Sequence, residues 1–344
     1  MNIDRHQPEW IDAFEQVFTL CKMRVSEKIV VLCEGQSRLI NVELAGLALT
    51  RMGLSFDRIK VPTPAPMTGP IIRSSGASTA LSGQPDAVAQ LCLADVVVDL
   101  TVEGLMHAPE TGQILQSGAR IMNVSNEHPE ALARLVPTLD LKDMAKEATG
   151  RMRAAKEMTV KSSAGTDLQV DLEGAATVGV WGWTDRPGTL AHWPAGLIVS
   201  FPRRGTVNGR LVYQAGDINL TFKRYFEGVV DLTLTDDFVT NVGGNGLDAR
   251  LMRDYFAAFD DPAAYATSHV GWGFNPAARY EALMMYDKAD TNGTELRALA
   301  GNFLYSTGAN EFAGRFTRGH FDLPMLGCDI ALDGVAVVSN GVPV

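Results

Sequence analysis

A histidine and an aspartate flank a single phenylalanine in the stretch TRGHFDLPM, residues 317–325. Side chains alternate between the two faces of a β-strand, so an extended conformation directs His320 and Asp322 to one face and Phe321 and Leu323 to the other. An imidazole and a carboxylate on one face are two of the three ligands in a 2-His-1-carboxylate site. Such a site binds divalent iron and leaves positions open for oxygen and substrate. The third ligand has to come from another of the six histidines in the chain.

Three of the remaining histidines are candidates for that ligand. His6 lies in a polar N-terminal stretch and His128 lies in a loop among acids, so both are expected at the surface. His107, His192 and His269 remain. His269 is surrounded by glycines in TSHVGWGFNP, and glycine lets backbone segments approach closely. All three stay open on the pattern alone, because a single histidine is more often a hydrogen-bonded structural residue than a ligand.

Composition and charge favour a small-molecule substrate. The 344 residues have a formal net charge of -10, which argues against a nucleic-acid partner. The N-terminus MNIDRHQPEW is polar and lacks the apolar core of a signal peptide, and no run reaches the roughly 18 apolar residues of a membrane span. We therefore expect a cytoplasmic protein without a membrane partner. The four cysteines are far apart in sequence, which argues against a disulfide framework or a thiolate zinc site.

The first half of the chain has the pattern of an α/β layer. Short apolar strands are predicted to alternate with helices, the strands at 29–33, 58–61, 95–100 and 120–124 and the helices at 38–52 and near 86–92. This alternation favours a parallel sheet covered by helices. No strand leads into G-x-G-x-x-G and no phosphate-binding P-loop occurs, so we expect this layer to act as a scaffold. A charged helix is predicted to follow at 140–158.

The second half has the pattern of antiparallel strands. Short alternating segments are separated by turn residues, and SAGT at 163–166 is a predicted hairpin turn. One helix interrupts the strands, where apolar residues recur at helical spacing: Leu247, Leu251, Met252, Tyr255, Phe256 and Phe259. We predict an α/β N-terminal scaffold domain at 1–157, mostly a parallel sheet with helices. An α+β C-terminal domain at 158–344, rich in antiparallel strands, is predicted to carry the metal site.

Several segments resemble the 2,5-dihydroxypyridine 5,6-dioxygenase family, which is related to thermophilic two-metal aminopeptidases. These segments are SHVGWGFNPAAR, GNFLYSTGANEFAG, GHFDLP, HWPAGLIVSFP, AGDINLTFK and LMHAPETGQILQSGARI. The resemblance covers most of the chain. It implies a mononuclear Fe(II) held by His269, His320 and Asp322, and an extradiol-type cleavage by O2 that opens 2,5-dihydroxypyridine to N-formylmaleamate. It also implies a homo-oligomer and no cofactor other than Fe(2+).

The same resemblance implies roles for residues around the metal. His107 matches a position next to the substrate and is expected to act as the acid/base residue, while Met106, His192 and Ser306 are expected to bind substrate. A neutral imidazole suits this work because it exchanges protons near pH 7. Val180 departs from the family, in which we expect a glutamate at about this position. We expect 2,5-dihydroxypyridine as the substrate. The apolar side chain of Val180 makes a different hydroxypyridine, or a hydroxypyridine carboxylate, the alternative.

Two functions from other classes stay open on the sequence. A two-metal aminopeptidase-like hydrolase would need bridging carboxylates to activate water. Four acids in the second half are available for this purpose, although none falls in a recognisable motif: Glu281, Asp287, Glu295 and Glu311. The other function is that of a binding protein, a family member that has lost its catalytic activity.

Overall fold

The computed structural model describes residues 6–64 and 78–344. The helices are α1 (Pro8–Leu20), α2 (Leu39–Arg51), α3 (Pro85–Leu91), α4 (Thr111–Gln116), α5 (Pro129–Arg134), α6 (Leu139–Ala154), α7 (Leu247–Ala258), α8 (Ala282–Met285) and α9 (Thr294–Arg297). None of the helices in these ranges is long and apolar enough to cross a lipid bilayer.

The strands up to residue 213 are β1 (Ile29–Glu34), β2 (Phe56–Val61), β3 (Val96–Asp99), β4 (Arg120–Val124), β5 (Glu157–Ser162), β6 (Asp167–Asp171), β7 (Ala176–Val180), β8 (Leu190–Trp193), β9 (Leu197–Phe201) and β10 (Val207–Tyr213). The remaining strands are β11 (Ile218–Asn219), β12 (Arg224–Tyr225), β13 (Val230–Thr235), β14 (Phe238–Gly243), β15 (Thr267–Gly273), β16 (Phe303–Asn310), β17 (Arg315–Met325), β18 (Cys328–Leu332), β19 (Val335–Ser339) and β20 (Val342–Pro343).

The predicted parallel layer is confirmed as a five-stranded sheet in the order β2-β1-β3-β4-β8 with parallel pairing throughout. Its strands are apolar on both faces because helices cover both. Along β1, Ile29, Val31 and Cys33 pack in a cluster with α1 and α2, whereas Val30 and Leu32 pack in a second cluster with α3 and α4. The helix predicted at 38–52 is confirmed as α2, which ends before Gly53 in the left-handed region.

One strand of this sheet comes from beyond residue 157. Strand β8 pairs with β4, and Asn123 lies opposite His192 in the register. The sheet therefore includes a segment from the predicted second domain, and the division at residue 157 stays a prediction. The predicted helix at 140–158 is shorter in the structure. Asp333 accepts the backbone N–H groups of Lys156 and Glu157, which holds this segment outside the helix as it enters β5.

The second half contains two large antiparallel sheets that share a core, and a small antiparallel pair of strands, β11 and β12. The larger has eight strands in the order β14-β13-β10-β6-β5-β18-β19-β20, and the smaller has five in the order β17-β16-β15-β9-β7. Their facing side chains belong to one apolar cluster, to which Val160 and Leu232 contribute from the larger sheet and Phe321 and Tyr305 from the smaller. The predicted hairpin turn at 163–166 and the predicted helix α7 are both confirmed.

Candidate metal centre

Strand β17 carries the histidine and aspartate that flank a phenylalanine in the sequence. Phe321 and Leu323 are fully buried in the core between the two sheets. His320 and Asp322 project from the opposite face and line a cavity of about 1330 Å³. The predicted alternation along this strand is confirmed.

The neighbouring strands supply the next polar side chains. Ser306 on β16 lies directly opposite Asp322 in the register, and His269 comes from β15 on the far side of β16. Gly308 lies opposite His320 with a φ of 109°, and a Cβ atom at Gly308 would come within 2.0 Å of the Gly319 carbonyl oxygen. Glycine is therefore required where β16 passes next to His320.

Three side chains converge on one carboxylate oxygen. The Oδ1 atom of Asp322 is 3.6 Å from Nε2 of His269 and 3.4 Å from Nε2 of His320. The Ser306 hydroxyl lies 3.0 Å from Nε2 of His269 and donates a short hydrogen bond to Oδ1 of Asp322. All four side chains are buried. This arrangement places two imidazole nitrogens and one carboxylate oxygen around a common point.

Hydrogen bonds away from this point fix which atoms face it. The Ser268 hydroxyl donates to the carbonyl oxygen of Ala309, so it accepts a hydrogen bond from Nδ1 of His269 at 3.0 Å. This hydrogen bond engages Nδ1 and leaves Nε2, the atom nearest Asp322, as the nitrogen that can bind a metal ion. Arg297 donates from Nε to Oδ2 of Asp322 at 2.6 Å, which leaves Oδ1 for the centre.

The protonation states suit a metal ion. Burial, opposed by the nearby Asp322 carboxylate, lowers the pKa of His269 well below its ordinary value. Burial alone would raise the pKa of Asp322, but the charges of Arg297 and His320 outweigh it and lower that pKa well below the usual range. Metal ions bind neutral imidazole and ionised carboxylate. Among the described residues, the buried Nδ1 atom of His320 has no hydrogen-bond partner. The donor set of two imidazoles and one carboxylate fits a divalent metal.

His107 joins the centre from the other sheet. It lies in the loop between β3 and α4, and its ring centroid is 5.1 Å from that of His320. One ring nitrogen from each of His107, His269 and His320 lies within 4.8 Å of the others. The three histidines therefore form a second geometrically compatible ligand set. Nδ1 of His107 is, however, 2.8 Å from Oε1 of Glu311, so only Nε2 remains for the cavity.

The loop that carries Met106 and His107 is fastened to the end of β3. The fully buried Asp99 carboxylate accepts the Leu105 N–H at 2.8 Å and an Asn123 amide N–H at 2.9 Å. Gly104 has a positive φ, and a Cβ there would come within 2.7 Å of the Asn123 side chain. The carboxyl ends of β3 and β4 thus hold this loop over the cavity.

His192 reaches the cavity from the edge strand β8. Its Nδ1 atom is 2.7 Å from the Pro194 carbonyl oxygen, which can only accept, so Nδ1 carries the proton and Nε2 has the lone pair. Burial lowers the pKa of His192 to about 4. Met106 and Val180 also line the cavity. Trp193, the residue after His192, is fully buried and packs against Phe14 in the core.

The structure thus brings the predicted site residues together around one cavity: Met106, His107, His192, His269, His320 and Asp322 line it, and Ser306 contacts two of them. The other two histidines lie elsewhere. His6 is exposed as predicted, whereas His128 is half-buried because it caps α5 and stacks on Tyr286. Sequence reasoning missed the contact of Arg297 with Asp322, and it considered Glu311 only as a metal-bridging acid. No local motif marks either residue.

Comparisons with known proteins agree over nearly the whole chain. A model of the 2,5-dihydroxypyridine 5,6-dioxygenase family matches residues 9–344. The 2,5-dihydroxypyridine 5,6-dioxygenase of Pseudomonas putida strain KT2440 is 37% identical over 333 residues, which are 95% of this chain and 94% of that protein. The solved structure of 2,5-dihydroxypyridine dioxygenase from Pseudomonas putida KT2440 superimposes with a TM-score of 0.90 at 36% identity, covering 97% of this chain and 96% of the other.

A more distant solved structure shares the fold. Wild-type AmpT from Thermus thermophilus superimposes with a TM-score of 0.63 at 14% identity, covering 98% of this chain and 99% of the other. The resemblance read from the sequence segments is confirmed by the much closer matches to the dioxygenase, over almost the full length of both chains. On that evidence this chain belongs to the 2,5-dihydroxypyridine 5,6-dioxygenase family.

Proposed function

We propose that the protein is an Fe(II)-dependent, extradiol-type dioxygenase that opens 2,5-dihydroxypyridine to N-formylmaleamate with O2. Membership of the family supports a ring-cleaving dioxygenase. The observation that carries the proposal is the convergence of His269 and His320 on Oδ1 of Asp322, at 3.6 and 3.4 Å, beside a large cavity. Two imidazoles and one carboxylate are the ligand set of non-haem iron oxygenases.

His269, His320 and Asp322 would hold the iron. Bound Fe(II) would supply the redox route between the ring and O2 and keep both reactants in contact. We assign Asp322 rather than His107 as the third ligand because the Asp322 carboxylate is held with one oxygen on Arg297 and the other towards the two histidines. Nδ1 of His107 is instead engaged by a carboxylate of its own.

The other cavity residues would handle the substrate. His107 has its Nδ1 proton directed at Glu311, so its Nε2 can take the proton of a ring hydroxyl. His192, neutral and with its lone pair on Nε2, would accept a hydrogen bond from the substrate. Ser306 and Met106 would contact the substrate, Ser306 while its hydroxyl holds Asp322 and Met106 as part of the cavity wall. Both oxygen atoms of O2 end in the product, so the reaction needs no nicotinamide or flavin.

Val180 bears on which ring the cavity accepts. Its side chain lines the cavity within an apolar cluster that includes Leu197, Val199 and Leu304. A polar ring substituent buried against this wall without a partner would cost about 1 to 3 kcal/mol. A cost of this size is enough to change which ring is accepted. The alternative substrate is a different hydroxypyridine, or a hydroxypyridine carboxylate. A homo-oligomer in the cytoplasm remains our expectation from the family resemblance.

A two-metal hydrolase is less well supported by the acids near the centre. Glu311 is engaged by His107, and Glu295 forms an ion pair with Arg134. In the described part of the chain, the group of three histidines with mutually close nitrogens contains none of these acids, and the carboxylate beside it, Asp322, has its second oxygen on Arg297. These contacts favour a single metal ion.

Metal content and substrate use test the proposal together. Protein reconstituted with Fe(II) without oxygen should bind about one iron per chain in elemental analysis, as expected for a single three-ligand site. It should then consume O2 when 2,5-dihydroxypyridine or a related hydroxypyridine is added. Two zinc ions per chain with hydrolysis of leucine p-nitroanilide would instead establish a peptidase.

A further inference from the structure

His107 and Glu311 form a partly buried pair between the two halves of the chain. Nδ1 of His107 lies 2.8 Å from Oε1 of Glu311, and the two residues are 204 positions apart in sequence. The His107 side chain is 3% exposed and that of Glu311 is 29% exposed. An ionised carboxylate only accepts hydrogen bonds, so Nδ1 of His107 has to be the donor.

The turn that presents Glu311 is fixed by its own hydrogen bonds. Glu311 begins a single 3-10 turn between β16 and β17, the strands that carry Ser306 and Asp322. The Asn310 side chain accepts the Ala313 N–H at 3.0 Å and donates to the Pro202 carbonyl oxygen, also at 3.0 Å. The position of Glu311 is therefore tied to the same strands as the candidate metal centre.

Glu311 is charged so that it can accept a hydrogen bond from His107. Burial raises the pKa of Glu311, but the hydrogen bond from His107 and the positive charge that His107 can carry outweigh it, and the pKa falls below its ordinary value. Glu311 is then ionised at neutral pH. The other neighbours of the His107 ring are rings: Phe201, His269 and His320, with centroid distances of 6.5, 6.2 and 5.1 Å. Glu311 is the carboxylate in contact with Nδ1.

We propose that Glu311 is the positioning residue for His107: it keeps the imidazole proton on Nδ1 and thereby keeps the Nε2 lone pair available to the substrate. This inference rests on the proposed function, in which His107 moves the proton of a ring hydroxyl. A carboxylate that orients a histidine in this way fixes its tautomer and its ring orientation. Glu311 itself does not touch the reacting atoms.

The tautomer is measurable without catalysis. Nitrogen NMR of histidine-labelled, metal-free protein should show His107 as the Nδ1–H tautomer, with the signal assigned by its loss in His107→Ala. In Glu311→Ala the same ring should move to the Nε2–H tautomer or to a mixture. An Nε2–H tautomer in the wild type, or an unchanged Nδ1–H tautomer in Glu311→Ala, would overturn the inference whether or not the protein is a dioxygenase.

Kinetics with the iron-loaded protein separate positioning from a merely structural role. Glu311→Ala should retain its iron and lower kcat by about 10- to 100-fold, the usual effect of losing such a partner. In a His107→Ala background it should change kcat no further, since its effect passes through His107. Glu147→Ala, at an exposed position on α6, is the matched control and should behave as wild type.

An equal loss of kcat in both backgrounds, or a wild-type kcat in Glu311→Ala, would contradict the proposal. Failure of the wild type to consume O2 would count against the proposed function and leave the NMR result to decide on Glu311.

Discussion

Three histidines around the cavity have the same hydrogen-bonding pattern. In His107, His192 and His269 the Nδ1 atom is paired with a carboxylate, a backbone carbonyl and a serine hydroxyl respectively. In each case the partner accepts the hydrogen bond from Nδ1, which leaves Nε2 as the ring nitrogen available at the cavity. Residue type alone does not distinguish their roles. What distinguishes them is position: His269 is nearest Asp322, while the other two reach the cavity from the parallel sheet.

Alanine variants should separate ligands from the proton-transfer residue. His269→Ala, His320→Ala and Asp322→Ala should each lose most bound iron and activity together, because a three-ligand site rarely survives the loss of one ligand. His107→Ala should keep its iron and lower kcat by about 10² to 10⁴, the usual contribution of a positioned acid/base group. Elemental analysis and steady-state kinetics measure both. Loss of iron from His107→Ala would establish the ligand set of three histidines instead.

Local patterns predicted the elements well where the periodicity was strong. Alternation along residues 320–323 identified the face of β17, and helical spacing identified α7. Strand β8 was missed because its four residues are too short to show a period, and because its partner β4 is far away in sequence. The end of α6 was placed too late, since the hydrogen bonds that hold residues 156–157 outside the helix come from Asp333, near the other end of the chain.

The loop between β3 and α4 provides a prediction at the level of elements. The Asp99→Asn substitution replaces one carboxylate oxygen with an NH2 group. When this NH2 group faces the buried Leu105 N–H, the Leu105 N–H loses its hydrogen-bond acceptor. Such an unsatisfied donor costs about 1 to 3 kcal/mol, so the free energy of unfolding should fall by that amount. Hydrogen exchange at residues 101–108 should become faster.

The matched control lies at the other end of the same strand. Asp95 accepts the Lys28 N–H at an exposed position, and in Asp95→Asn one oxygen remains to accept it. This variant should keep wild-type exchange in the loop. Unchanged exchange at 101–108 in Asp99→Asn would show that the Asp99 carboxylate does not fasten the loop.

At the scale of the whole molecule, the site forms where the two halves of the chain meet. The parallel sheet contributes His107 and His192, and the smaller antiparallel sheet contributes His269, His320 and Asp322. Strand alternation selected His320 and Asp322, but His269 as the remaining ligand and the places of His107 and His192 came only through the family resemblance, because periodicity carries no information on contacts between distant segments. The pairing of His107 with Glu311, across 204 positions, became visible only in the folded chain.

The fate of ¹⁸O₂ during turnover shows directly whether the protein opens the ring as a dioxygenase. Iron-loaded protein is mixed with 2,5-dihydroxypyridine under labelled oxygen, and the product is analysed by mass spectrometry. We predict N-formylmaleamate that contains both labelled atoms, with one O2 consumed for each ring opened, because a dioxygenase leaves no oxygen atom for water. A product with a single labelled atom, ring loss without label, or no ring opening by the iron-loaded protein would contradict the account.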